Sequence, residues 1–577
     1  MPGYKQELEN FKGAPSHGSQ ALTGTSSLCR YLLHMWSIGE ISACACQSIA
    51  QAAHMDGINH ESVVKLAAAG AWGRHTNNIS RDLKAMVTKE GKGTFALPKT
   101  VTIPCWNPRK SCNEDAGFSF FDPVTVIQSF FGNQELFEDM FKPSLVKSFW
   151  QGIRDDDPRL EILFKESCLK QNDLEFTIPL WLHGDGVEFV DGRSLMSLSF
   201  GSILNAGPSL DSSLLLFAFP KDCTIAATTW EHVWAHIAPS WVQLQTGLSE
   251  QGTPVAGKYR FIIWHIMGDH EWYANYLLLP HWATAHSCWE CHLTGPQQME
   301  TLAEPFGQTS LRTVAEELNC RLSEHSLFTI PGVSHFNICQ DAMHILFCGG
   351  VFGHAMGNAL KHWCYHSNCM GRRSLKDKVS VIWNKMQHHY TLLGVENKLP
   401  LLKATMFINT DRPHQEKPFL KVKAGECKSL VHVFARLAVD FHTGDDISNA
   451  ILALCESMAE FTDLMDSSSR HPTDAQCARA EEIMSSFMAQ YKFLQLHRPT
   501  DFMWHTVIKF HTAKHLAASF KLGNPKFSWC FKSEDYCGRI ARLAHSCSFG
   551  CKALALATKI AEKYRLMMFI RQWQFNV

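Results

Sequence analysis

The chain has 577 residues, with 54 Lys and Arg against 55 Asp and Glu, a formal net charge of −1, and 45% hydrophobic residues. That balance excludes a uniformly basic nucleic-acid coat and an acidic disordered chain, while leaving room for a local basic face. The length accommodates three or four domains, or one large α/β core with insertions. The 21 Cys and 30 His point to free thiols and metal ligands more than to a disulfide scaffold.

The first residues, MPGYKQELENFKG, are polar and mixed in charge, so no secretory signal is expected. No apolar run reaches the roughly 18 residues a membrane-spanning helix needs. A soluble intracellular chain, with most thiols reduced, is the expectation. Residues 1 to about 95 carry helical periodicity in SSLCRYLLHMW and ESVVKLAAAGAW, and KEGKGT interrupts it. Helices are expected again over Val124–Phe131 and Pro143–Ile153. The β signal is concentrated between about 176 and 280. FTIPLWLHGDGVEF reads as a strand ending in a Gly-Asp-Gly turn, and SLMSLSFGSIL and SSLLLFAFP as two more. A Trp-rich helix, TTWEHVWAHIAPSWVQLQTG, precedes a fourth strand in YRFIIWHIMGDHEW. Three strands, a helix and another strand predict an α/β sheet with an antiparallel part. From about 292 onward the periodicity is helical to the end, and no internal repeat occurs.

Two acids follow strands. Asp185 stands in Leu182-His183-Gly184-Asp185-Gly186, where a turn residue is the bland reading. Asp269 follows the fourth strand in Trp264-His265-Ile266-Met267-Gly268-Asp269-His270. Carboxylates at neighbouring strand ends can share divalent cations, and two cations about 4 Å apart clamp a phosphodiester. Glu188, Asp191 and Glu271 are better read as turn or solvent-facing acids, while His183, His265 and His270 lie close enough in sequence to orient substrate or the carboxylates. Cys288-Trp289-Glu290-Cys291 is a C-x-x-C flanked by loop sequence, which favours zinc over redox chemistry and calls for two further ligands. His511 and His515, four apart, share one helical face and can reach one ion. Glu534 and Asp535 stand where a helix would begin, a position its dipole favours for acids.

In this order the motifs resemble the DDE transposases with an RNase H-like core. The layout is most similar to the CACTA (En/Spm) group and the related V(D)J recombinase and Transib lineage. PLWLHGDGVEF resembles the first-Asp strand of that group. Trp264 through Cys291 resembles its Asp, aromatic-rich stretch and C-x-x-C, and Cys339-Gln340-Asp341-Ala342-Met343-His344 resembles its Asp-x-Met-His motif. Where that group continues to a Glu, this chain has Leu346. The resemblance implies Asp185, Asp269 and Glu534 as catalytic carboxylates on Mg²⁺ or Mn²⁺, with Asp535 and Asp341 as alternative third acids. It also implies a structural Zn²⁺ on Cys288, Cys291, His511 and His515 that ties an insertion to the core.

The expected organisation is a helical region over 1–120, the first part of an RNase H-like core over 121–291, an α-helical insertion over 292–503, and the last part of the core over 504–577. The implied function is metal-dependent DNA cleavage and strand transfer by a transposon-derived transposase. The alternative is a catalytically inactive, zinc-stabilised DNA-binding descendant, which Leu346 and the absence of a recognisable N-terminal zinc finger favour. A helical interaction protein with merely buried Cys and His is the blandest reading. Charge distribution bears on the choice. From His505 to Val577 there are 12 Lys and Arg against 3 Asp and Glu, a local +9 that leaves −10 on residues 1–504. Lys509, Lys514, Lys521, Lys526, Lys532, Arg539 and Arg542 are the candidate phosphate contacts. Double-stranded DNA (transposon ends and target), a homo-oligomer, no membrane and a nuclear compartment complete the expectation.

Overall fold

The computed structural model describes residues 25–71, 77–90, 95–307, 310–497 and 502–575. The fold is mixed α/β, 56% helix with a small mixed sheet. The chain divides into two units, residues 1–95 with 563–577, and residues 96–562. Among the described residues no helix is long and apolar enough to cross a membrane.

In the first unit, helices Ser27–Ser37, Ala43–Met55, Glu61–Ala67 and Ile79–Glu90 follow the periodicity of the sequence. Ser26 and Ser42 cap the first two, each side chain accepting a backbone N–H at 3.1 Å, from Cys29 and Ala45. Residues 99–120 depart from the helical expectation for 1–120. They form an antiparallel hairpin of β1, Lys99–Asn107, and β2, Cys112–Phe120. Ile103 and Cys105 are buried on alternate positions of β1, a period of two that Pro104 and the acids Glu114 and Asp115 obscure in the sequence.

The central sheet has the order β5-β4-β3-β6, with β3 Thr177–Val190, β4 Arg193–Ser202, β5 Leu214–Pro220 and β6 Arg260–Met267. β3, β4 and β5 run antiparallel, and β6 returns parallel to β3. The crossover is the 21-residue helix Ala226–Thr246, which ends on Gly247 at φ 76°, a left-handed cap that glycine adopts without strain. Its Trp241 meets Phe200 edge-on at 5.4 Å and its Trp230 stacks on Phe217 at 5.6 Å. This helix therefore covers one face of the sheet.

β3 does not end at Gly-Asp-Gly. It continues to Val190, and Asp185 pairs with Ser197 of β4. What stops there is the pairing with β6, whose last partner is His183 opposite Met267. Alternation along β3 then explains the two glycines. A Cβ on Gly184 would lie 2.0 Å from the Trp272 ring, and one on Gly186 would lie 2.0 Å from Lys221 Nζ. Both glycines clear the helix-covered face, while His183 and Asp185 point to the opposite one.

Against that opposite face lies helix Phe531–Ser548, whose Cys537 Sγ is 3.9 Å from His183 Nδ1. Helices Val351–Lys361, Leu375–Leu392, Ala424–Asp440, Asp446–Ser467 and Asp474–Leu496 form the α-helical stretch. Their core is continuous with Phe510, Ala513 and Leu516 of helix Ile508–Ala518, so packing continues across the expected boundary at 503/504.

Gly184→Ala forces a methyl into the Trp272 ring and is expected to destabilise the protein by about 1–3 kcal/mol, the usual cost of overpacking. Urea denaturation measures this. An unchanged midpoint would show that Trp272 yields freely and that Gly184 is not needed for its seat.

Candidate active site and metal centre

Asp185, Asp269 and Glu534 converge from three segments. Asp185 stands on β3 just beyond the parallel pairing, its Oδ1 accepting the Gly186 N–H at 2.6 Å. Asp269 caps helix His270–Tyr276, its Oδ1 accepting the Trp272 N–H at 2.6 Å. The cap fixes the carboxylate and seats Trp272 against Gly184 together. Glu534 is in the first turn of helix Phe531–Ser548 and hydrogen-bonds Asp185. Burial, then the charge of Asp269, raises Asp185 to about 6. Burial, then the charge and hydrogen bond of Asp185, raises Glu534 to about 9. Like charges crowded at low dielectric retain a proton unless a cation joins them.

The two other candidate acids have different surroundings. Asp535 is exposed, bonded to Ser209 and paired with Arg539 at 3.1 Å. Asp341 is buried with both oxygens engaged. Oδ1 accepts the N–H groups of Met343 and Cys530 at 3.0 and 2.9 Å, and Oδ2 lies 2.5 Å from His344 Nδ1. Cys530 immediately precedes the Glu534 helix, so Asp341 anchors that helix. Burial pushes the Asp341 carboxyl up, but His344 and the two N–H groups outweigh it and hold it below its ordinary range. Burial lowers His344, yet its bond to Asp341 and the charges of Asp341, Glu534 and Asp269 bring it up to about 9. His344 lies on a π-helical turn, Met343–Phe347, an irregularity frequent at functional sites. Leu346 of the same turn is fully buried core.

The nearby residues sort plainly. Glu188 accepts the Gly192 N–H at 2.8 Å in the β3–β4 turn, where Asp191 also stands. Glu271 lies 3.9 Å from Lys221. Burial lowers His183 to about 3, which keeps it neutral beside the carboxylates. His270 Nε2 lies 3.3 Å from the Pro280 carbonyl oxygen, and His265 opens on a separate cavity.

Cys288, Cys291, His511 and His515 are all buried, and one ligand atom from each lies within 4.8 Å of the others. Cys288 Sγ is 3.3 Å from His515 Nε2, Cys291 Sγ is 3.4 Å from His511 Nε2, and the two Nε2 atoms are 3.1 Å apart. Metal–ligand bonds of about 2.0–2.3 Å give a tetrahedron with edges of roughly 3.3–3.8 Å. The cluster could therefore hold a metal such as zinc. Hydrogen bonding from Cys288 holds the Cys291 thiol far below its ordinary range, and burial pushes Cys288 up, so the pair carries thiolate character. Glu290, read in the sequence only as a spacer of C-x-x-C, has Oε2 2.8 Å from His515 Nδ1 and is bonded by Gln340 at 2.5 Å. A carboxylate on the outer nitrogen turns the inner one toward a metal. Phe306 stacks on His515 at 4.3 Å.

Most of the expected phosphate contacts have partners within the chain. Lys509 and Lys514 donate to the carbonyls of Cys348 and Thr301 at 2.8 and 2.9 Å, and Lys532 to that of Asn205 at 3.0 Å. Lys521 pairs with Glu481 at 2.8 Å, Lys526 with Asp466 at 2.9 Å and Arg539 with Asp535. Arg542 is exposed. The charge count cannot register most of this, because apart from Asp535 the partners lie outside the counted segment.

No protein-family model matches the chain, and no curated protein is significantly similar to it.

The purified chain is expected to carry one zinc per molecule by elemental analysis, and Cys291→Ser or His511→Ala to lose it. Glu290→Gln should weaken zinc about 10- to 100-fold in chelator competition, the usual cost of losing an outer partner of a metal-bound histidine. A metal-free wild-type chain that stays so on adding zinc would contradict the assignment.

Proposed function

We propose that the protein is a transposon-derived DDE transposase with an RNase H-like core, cutting DNA phosphodiesters and transferring strands. The observation that carries this is the meeting of Asp185, Asp269 and Glu534 beside a mixed sheet. Asp185 stands on β3 just beyond its parallel pairing with β6, Asp269 follows the end of β6, and Glu534 comes from a helix packed on β3. Their donor set fits Mg²⁺ or Mn²⁺, which favour a few carboxylates plus substrate oxygens. Burial and the neighbouring carboxylate raise Asp185 and Glu534, and a divalent cation among them would favour their ionised forms.

Divalent cations held there would activate a water or a DNA 3′-hydroxyl and stabilise the leaving oxygen. Asp185 and Asp269 hold their carboxylates by backbone contacts that leave at least one oxygen each for ligation. Asp341 positions Glu534 through the Cys530 N–H. His344, kept positive by Asp341, offers charge beside the carboxylates where a phosphate would lie. Zinc on Cys288, Cys291, His511 and His515 would join the loop after Asp269 to helix Ile508–Ala518 and so brace the core against the helical insertion. The reading entails double-stranded DNA as partner, a homo-oligomer that pairs two transposon ends, and a nuclear compartment. Leu346 favours the alternative of a cleavage-deficient DNA-binding descendant. Glu534 supplies a third acid that answers that objection.

Asp185→Asn and Glu534→Gln are each expected to lower Mg²⁺-dependent nicking of supercoiled DNA by at least about a hundredfold, the scale lost with a principal electrostatic group. Circular dichroism should be unchanged. Wild-type rates in both variants would remove the catalytic reading and leave the DNA-binding one.

A further inference from the structure

A second site lies apart from the three carboxylates and borders the Cys and His cluster only through Glu290 and Leu311. Between the sheet and the helical stretch is a cavity of about 180 Å³, far more than the roughly 30 Å³ that one water occupies. Its walls are mostly apolar, with four aromatic rings from Phe149, Trp264, Phe336 and Phe527. None of Asp185, Asp269, Glu534 or the four Cys and His ligands lines it.

Six nitrogens on its lining residues are buried without a hydrogen-bond partner among the described residues. They are Arg312 Nε, Arg470 Nη1, Trp264 Nε1, His265 Nδ1, His335 Nε2 and His471 Nε2. Native proteins satisfy nearly all such atoms, so six around one cavity call for a ligand. His335 is 2% exposed, and its Nδ1 is held 2.6 Å from Glu317 Oε2, which leaves Nε2 as the unpartnered end. The other charges on the lining are already matched. Arg159 is paired with Asp157 at 2.6 Å, and Glu290 faces His515 and Gln340. Burial keeps His265 and His471 neutral. Two guanidinium charges remain, those of Arg312 and Arg470, and Arg470 is laid over the Phe527 ring at 4.5 Å. Two positive charges beside flat aromatic walls suit a dianionic phosphate monoester attached to a planar ring.

We propose that this cavity binds a mononucleotide, with Arg312 and Arg470 on the phosphate and the base among Trp264, Phe336 and Phe527. The proposal rests on these residues alone and stands whether or not the carboxylates cut DNA. The test is calorimetric titration of the zinc-loaded full chain with adenosine and thymidine 5′-monophosphates, with the nucleosides and inorganic phosphate as controls. At least one mononucleotide should bind at one site per chain, with its nucleoside and inorganic phosphate each at least about tenfold weaker, since a charge-assisted contact is worth that much. Arg470→Ala and Arg312→Ala should each weaken it by about tenfold or more on the same grounds. Leu311→Trp, which fills the cavity from its exposed rim, should abolish binding and guards against misfolding in the arginine variants. Absence of heat with both mononucleotides, equal binding of nucleoside and nucleotide, or binding indifferent to Leu311→Trp would each overturn the assignment.

Discussion

Mutual repulsion among Asp185, Asp269 and Glu534 is the constraint on which the rest of the core turns. Burying carboxylates together at low dielectric is unfavourable, and burial first, then the neighbouring charge, raises Asp185 to about 6 and Glu534 to about 9. Each acid is therefore held by its own device. Asp185 is fixed by the β3–β4 ladder, with glycines on either side so that the opposite face can receive Trp272 and Lys221. Asp269 is fixed by capping the helix that carries Trp272. Glu534 is fixed at a distance, through the Asp341 bond to the Cys530 N–H. Contacts of this kind hold like charges together, which is the arrangement the proposed cation site needs.

The Cys and His cluster solves a different problem. More than 200 residues separate Cys291 from His511, and a large helical stretch with its own core lies between them. Closing so long a loop is entropically costly, and a buried four-ligand metal centre is one of the few local devices that can secure it. Glu290 joins the two systems. It supports His515, and its partner Gln340 is the residue next to Asp341. A run of contacts thus links the Cys and His cluster, through Glu290 and Gln340, to the residue next to the anchor of the Glu534 helix.

Much of this was legible in the residues. All four strands of the central sheet and the Trp-rich crossover helix follow from apolar runs and their spacing. The Cys pair and the His pair could be matched because C-x-x-C and H-x-x-x-H each have a geometric meaning. Other features carry no local signal. β1 and β2 hide their alternation behind Pro104 and two acids. The continuation of β3 past Asp185 depends on pairing with β4, and the glycines there serve a close approach from Trp272 and Lys221 instead of a turn. The roles of Glu290 and Asp341 depend on partners 225 and 189 residues away. The lysines of the last segment show the same limit, since composition counts charges and only the fold shows that Lys521 and Lys526 meet acids while Lys509, Lys514 and Lys532 donate to backbone carbonyls.

The central claim is that Asp185, Asp269 and Glu534 form a divalent-cation site. It is tested most directly by growing crystals of the zinc-loaded chain with Mn²⁺ and measuring anomalous scattering at the manganese edge. The account predicts manganese peaks in contact with all three carboxylates, separate from the zinc peak at Cys288, Cys291, His511 and His515. Ordered carboxylates with no manganese between them would contradict it.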